Sequence, residues 1–206
     1  MNFFACWRTY TLGCGRTSGS GSVMSDAGEG LYLQVLVVRC QLGDRGAFAQ
    51  IVAVCQPRLR AYLHRMLRGS HDVDDVAQEV WADVLRDLGS LTKPGAFVPW
   101  LYRIAHNRAA RLMRSARPPN ASLDDLAQAG EWDEQEEFTA EDAQAVHDAL
   151  ARLSDAHREV LLLRFLEDMS YEDIAAVLQC PVGTVRSRIH HAKAALRNVL
   201  ENARRP

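Results

Sequence analysis

The sequence predicts an all-α protein of two small helical domains joined by an acidic, flexible linker, and three observations carry that prediction. Apolar residues recur at three- and four-residue steps through residues 31–117 and again from residue 143, and no segment alternates strictly as a half-buried strand does. Between Pro118 and Asp142 the chain holds Asp124, Asp125, Glu131, Asp133, Glu134, Glu136 and Glu137 with no lysine or arginine. The full length, 206 residues, suits one sizeable or two small domains.

Composition narrows the classes. Apolar residues at 48% and charged residues at 24% are ordinary globular values, which excludes a wholly disordered or collagen-like chain. Five cysteines, Cys6, Cys14, Cys40, Cys55 and Cys180, are scattered and never form a CxxC pair. Neither a disulfide framework nor a zinc site follows from them, so no metal or cofactor is expected and a reducing cytoplasm fits best. The longest apolar run, around Val35 to Val38, is interrupted by Gln34 and Arg39, far short of a membrane span. The net charge of −2 conceals a strongly uneven distribution along the chain.

Residues 1–30 are expected to be a disordered tail, because Gly13, Gly15, Gly19, Gly21, Gly28 and Gly30 sit among serines with little to bury. Met24-Ser25-Asp26 is a candidate alternative start within it. The first domain, residues 31–117, reads as three or four helices broken at Gly43 to Gly46, at Gly69-Ser70 and at Gly89 to Pro99.

A helix opening near Val73 carries Val76, Ala77, Val80, Val84 and Leu88 as its apolar stripe, with Asp75, Glu79 and Asp83 at i, i+4, i+8. That ridge is either a solvated face or a docking surface for a basic partner. After the Lys93 to Pro99 loop, a helix from Trp100 interleaves aromatics and arginines: Trp100, Tyr102, Arg103, Asn107, Arg108 and Arg111. Flat rings that stack on unpaired bases, guanidiniums that follow phosphates and an amide that pairs with a base edge suit single-stranded DNA. The competing expectation is that Trp100, Leu101 and Ile104 are core.

Residues 118–142 are the linker and residues 143–206 the second domain. Ser154 precedes an apolar series from Val160 to Leu166, giving one helix that ends near Glu167-Asp168. Ser170 with Asp173 resembles a capping box for a short helix, Tyr171 to Leu178, with Ile174, Ala175 and Leu178 inward. After Gln179-Cys180-Pro181, Val182, Val185, Ile189, Ala192, Leu196 and Val199 make the buried side of a long helix. Gly183, Ser187, His190 and His191 lie opposite, with Thr184 and Arg186 flanking. A short helix, a tight turn and a second helix with polar donors is the helix-turn-helix arrangement, whose second helix enters the major groove. Arg186 can read guanine edges or hold phosphate. Arg188, nearer the buried stripe, suits a phosphate contact or an internal salt bridge, and Lys193 suits backbone positioning.

Three segments in this order, Asp74 to Trp81 (DDVAQEVW), Trp100 to Asn107 (WLYRIAHN) and Cys180 to Arg188 (CPVGTVRSR), resemble an extracytoplasmic-function sigma factor of the sigma-70 family across residues 31–201. The resemblance implies that the first domain is region 2, with the Asp75, Gln78, Glu79 helix gripping the β′ clamp helices of core RNA polymerase. It implies that the Lys93 to Pro99 loop and the Trp100 helix melt the −10 element and hold a flipped base near Asn107. The second domain is then region 4, reading the −35 element of promoter DNA through Arg186, Ser187, His190 and His191 and packing on the β flap. An anti-sigma factor that covers the polymerase-binding surfaces is a further implied partner. The acidic linker then passes near the template strand, either imitating nascent RNA or simply solvated.

The runner-up is a helix-turn-helix regulator that never joins polymerase. An enzyme is not expected, since no Ser-His-Asp order, HExxH, phosphate loop or paired-acid motif is present. Oxidation sensing through Cys55 or Cys180 would need an activating neighbourhood that the sequence does not supply.

Overall fold

In the computed structural model, residues 26–115, 146 and 148–204 are described. All regular elements among them are helical, in keeping with the all-α expectation. The proposed linker at 118–142 and Met24 lie outside the described residues.

The first unit contains α1 (Asp26–Gln41), α2 (Arg45–Met66), α3 (Val73–Asp87) and α4 (Phe97–Ser115), with single 3-10 turns at Leu88–Ser90 and Pro94–Ala96 between the last two. Helix α1 begins at Asp26, five residues before the boundary expected at Leu31. Gly28 and Gly30 lower helix propensity, but burial of Leu33, Leu36 and Val37 on α2 outweighs that local cost. The opposite side of α1 is apolar too: Leu31, Val35, Val38 and Leu42 are all exposed.

Gly43 takes φ +94, which only glycine adopts without strain, and turns the chain into α2. Asp44 caps that helix, accepting from the backbone N–H of Gly46 at 2.9 Å and of Ala47 at 3.2 Å. Its carboxylate also accepts from Arg39 at 2.7 Å. Hydrogen bonding from Arg39, then from the Ala47 N–H, holds the Asp44 carboxyl below the ordinary aspartate value. Ile51, Cys55, Leu59, Tyr62, Leu63 and Met66 give α2 its buried side. Tyr62 meets Tyr102 of α4 edge to face at 5.1 Å, and Phe48 meets Trp81 of α3 at 6.1 Å. The Trp81 indole N–H donates to Gln56 Oε1.

In the second unit, helical residues 148–152 precede α5 (Asp155–Leu161), which runs into a π-helical turn, Leu162–Leu166. The single amphipathic helix expected here is therefore wound in two ways. Helix α6 (Tyr171–Leu178) and α7 (Val182–Arg204) follow. The N-terminal half of the expected capping box forms, and its return bond is replaced by a side-chain contact: Ser170 Oγ accepts from the Asp173 N–H at 3.0 Å and donates to the Asp173 carboxylate at 2.8 Å. Ser170→Ala should lower stability by about 1 kcal/mol, checked by thermal unfolding followed by circular dichroism. Ile174 and Val177 are fully buried, whereas Ala175 and Leu178 are only half so, a rotation of the inward face from that expected. Gln179 takes φ +53 and ends α6, and Pro181 supplies the carbonyl that accepts from the Thr184 N–H at 2.9 Å. Val185, Ile189, Ala192, Leu196 and Leu200 are the buried stripe of α7.

Candidate nucleic-acid and protein interfaces

Helix α3 divides its carboxylates between two environments. Asp75, Gln78 and Glu79 are exposed, but Asp83 is buried at 7% exposure. The ridge expected at i, i+4, i+8 does not survive as a solvent face. At about 100° per residue, each four-residue step advances the side chain by about 40°, so the second step carries Asp83 off the face and against α4. There Asp83 accepts from Arg108 Nε at 2.6 Å and from Arg86 at 2.7 Å. Burial alone would raise the Asp83 carboxyl, but hydrogen bonds from Arg108 and then Arg86 outweigh it and hold the group below the usual aspartate value.

The same contact occupies Arg108, expected from the sequence among the DNA-binding residues. Its guanidinium bridges Asp83 and, at 2.7 Å, Glu79 Oε2, locking α4 to α3. Donating to the Asp83 carboxylate raises its already high pKa, so it stays charged as a structural cation.

Tyr102, also expected to meet DNA, is turned inward on α4. At 3% exposure its ring belongs to the core, stacked edgewise on Tyr62, and it offers no face to a base. The rest of the predicted set, Trp100, Arg103, Asn107 and Arg111, is brought together, and the structure adds Arg114 to it. Asn107, Arg111 and Arg114 are exposed and Trp100 and Arg103 half-exposed. On a helix these five fall within an arc of about 80°, opposite Leu101, Ala105 and Ala109, which are buried. The Trp100 ring leans on Phe97 at 6.1 Å and keeps part of its surface in solvent. One strip therefore presents an aromatic ring, an amide and three guanidiniums, with no carboxylate among them.

A residue overlooked in the sequence completes the α3 face. Leu85 is 59% exposed and lies one turn beyond Ala82 and two beyond Gln78. Its seven-residue spacing from Gln78 was the available signal. It adds an apolar side chain to a face otherwise made of exposed polar groups.

On α7, Gly183, Arg186, Ser187 and His190 form the exposed face. Thr184, Arg188, His191 and Lys193 are half-buried on its flanks. His191 packs against His190 at 5.5 Å with its Nδ1 buried, so it belongs to the edge of the face and not to its centre. The Lys193 ammonium lies 5.3 Å over the Phe165 ring, a cation–π contact within its own unit. The Ser187 hydroxyl donates back to the Thr184 carbonyl at 3.0 Å and keeps an acceptor lone pair outward.

Among the described residues no three His, Cys, Asp or Glu side chains gather as a metal site, and no helix is long and apolar enough to cross a membrane. Cys55 is buried and Cys40 and Cys180 half-buried. Burial and then the Asp44 charge push the Cys40 thiol up, away from a reactive thiolate.

Comparison with known proteins gives the arrangement a family. The models for sigma-70 region 2 and sigma-70 region 4 match residues 51–118 and 143–196. The RNA polymerase sigma-H factor of Pseudomonas aeruginosa is 37% identical over 180 residues, covering 82% of this chain and 93% of that protein. The ECF RNA polymerase sigma-E factor of Escherichia coli K12 is 37% identical over 192 residues, covering 84% and 96%. Among solved structures, CnrH in complex with the cytosolic domain of CnrY aligns at a TM-score of 0.63 and 27% identity, over 83% of this chain and 98% of that one. The sigma factor RpoE of Bartonella quintana, in complex with the anti-sigma factor NepR, aligns at 0.57 and 25% identity, over 76% and 98%. Two family domains in register, relatives matched over nearly their whole length and a helix-turn-helix with a free face agree: the chain belongs to the sigma-70 family, as an extracytoplasmic-function RNA polymerase sigma factor.

Proposed function

We propose that the two units divide promoter recognition as the exposed faces suggest. Asp75, Gln78, Glu79 and Leu85 on α3 bind core RNA polymerase at its clamp helices. Trp100, Arg103, Asn107 and Arg111 on α4 engage the unpaired −10 strand, and Arg186, Ser187 and His190 on α7 read the −35 duplex. Thr184, Arg188 and His191 border that duplex contact, while the β flap meets the same unit elsewhere. The observation that carries this reading is the strip on α4, where a half-exposed ring, an amide and three guanidiniums share one side of a helix whose other side is core.

The chemistry is binding and not bond-making. Base stacking is worth about 1–3 kcal/mol per base, so a few captured bases offset the cost of opening a short duplex. Asp83, Tyr102 and Arg108 hold the scaffold that aims the strip. Residues 118–142 tether the two units, and the protein works in the cytoplasm, where polymerase and promoter are. Its activity is held down by an anti-sigma factor, a reading supported by the sigma factor RpoE complexed with the anti-sigma factor NepR.

Run-off transcription with purified core polymerase tests the whole. Transcripts from promoter duplexes should require this chain, and Arg186→Ala should reduce them about tenfold on duplexes carrying a −35 element, since one bidentate base contact is worth about 1–3 kcal/mol. A chain that binds intact duplex tightly by itself and leaves transcription unchanged would instead be the independent helix-turn-helix regulator.

A further inference from the structure

The loop between α3 and α4 is held by a side chain from α1. The side-chain amide of Gln41, at the last residue of α1, donates to the Leu88 carbonyl at 3.0 Å and to the Leu91 carbonyl at 2.8 Å. Those carbonyls are the two ends of the 3-10 turn Leu88–Ser90, whose own closing bond runs from the Leu91 N–H to Leu88 O at 3.2 Å. A primary amide has two N–H groups, and both are committed to this turn. Two helical turns earlier, Gln34 lies against the next part of the loop, where a Cβ placed on Gly95 would stand 3.6 Å from its amide. The polar edge of α1 thus backs the loop at both of its 3-10 turns.

We propose that Gln41 is a positioning residue for −10 recognition, acting by holding residues 88–96 in the one conformation that can receive the displaced strand. The inference rests on the reading that Asn107 and the adjoining Lys93 to Pro99 loop engage the −10 strand. Its physical basis is preorganisation. A short surface loop whose carbonyls are left to water samples many backbone conformers, and ordering them on DNA binding subtracts from the affinity for every strand, most of all where geometry discriminates between bases. Leu88 is itself anchored at 3% exposure, so Gln41 ties the Leu91 end of the turn to a fixed point.

The test uses full-length chain with core polymerase, transcribing a pool of linear duplexes randomised upstream of a fixed start, with the productive templates sequenced. Gln41→Glu keeps size and shape but turns both donors into acceptors facing carbonyls. It should flatten base preference at −10 about tenfold while leaving affinity for core polymerase and preference at −35 unchanged. Gln41→Lys restores N–H donors at similar reach and should recover most of the preference. Unchanged −10 preference in Gln41→Glu overturns the proposal. So does a loss that spreads equally to core binding or that lysine fails to relieve, because either marks a general packing role. Asn107→Ala separates the two levels: if it leaves −10 preference intact, the reading of this surface falls, whereas flattening by Asn107→Ala without flattening by Gln41→Glu removes the Gln41 inference alone.

Discussion

Replacing Asp75 and Gln78 together by lysine should weaken binding to core RNA polymerase by about a hundredfold and abolish run-off transcription at limiting factor. Both side chains are exposed on α3, and neither contributes to the α3–α4 ion pairs. The fold should therefore stay intact while the sign of the docking face reverses. Loss of about 3 kcal/mol is ordinary where a charged contact near an interface centre is reversed, and 1.4 kcal/mol is tenfold. The more obvious pair, Asp75 with Glu79, is the poorer choice, because Glu79 holds Arg108 and its reversal would place a cation against a cation. Leu85→Asp should produce a similar loss by removing the apolar anchor. The check is a fluorescence-anisotropy titration with core enzyme beside a thermal melt. Wild-type affinity in both variants would remove α3 from the polymerase interface.

Asp83→Ala should act in the opposite way, on stability before function. It leaves Arg108, three-quarters buried, with Glu79 as its remaining carboxylate partner and an apolar gap on its inner side, and breaking a buried pair from one side costs about 3–5 kcal/mol. For a domain of this size the thermal midpoint should fall by more than about 10 °C. The double variant Asp83→Ala with Arg108→Ala should be less damaging than the sum of its parts. The acid dependence follows from the lowered carboxyl. Folding favours the ionised form, so the pair contributes fully above the ordinary aspartate pKa of about 3.9 and is lost as pH falls through the lower folded value. The stability gap between wild type and Asp83→Asn should thus be widest near neutrality and narrow steadily below about pH 4, as followed by chemical denaturation at several pH values. A gap independent of pH would mean that Asp83 acts through packing alone.

Much of the architecture was legible because it depends on local rules. Ser170 and Asp173 announced the start of α6, Pro181 the start of α7, and the three- and four-residue spacing from Val185 to Leu196 the buried side of α7. Each is set by hydrogen bonds or side chains within one or two turns. The site was legible in part. Asp75, Gln78 and Glu79, the strip from Trp100 to Arg111 and the pair Arg186–Ser187 sit on open faces, as their helical angles require. Asp83, Arg108 and Tyr102 do not: Asp83 and Arg108 lie at the flank of their helix, where a modest rotation separates solvent from a neighbouring element, and Tyr102 falls within the buried arc beside Ala109. Lys193 likewise turned to an aromatic ring that is distant in sequence.

Helix identity, caps, the helix-turn-helix and the family motifs were therefore determined by the chain on its own, since short-range geometry and periodicity suffice for them. Only the tertiary structure decided which charges are spent inside. Whether a guanidinium at a helix flank meets water, a carboxylate or a ring depends on which second helix packs there, and the free energy of burying a charge is settled by partners that residue spacing within one helix cannot reveal.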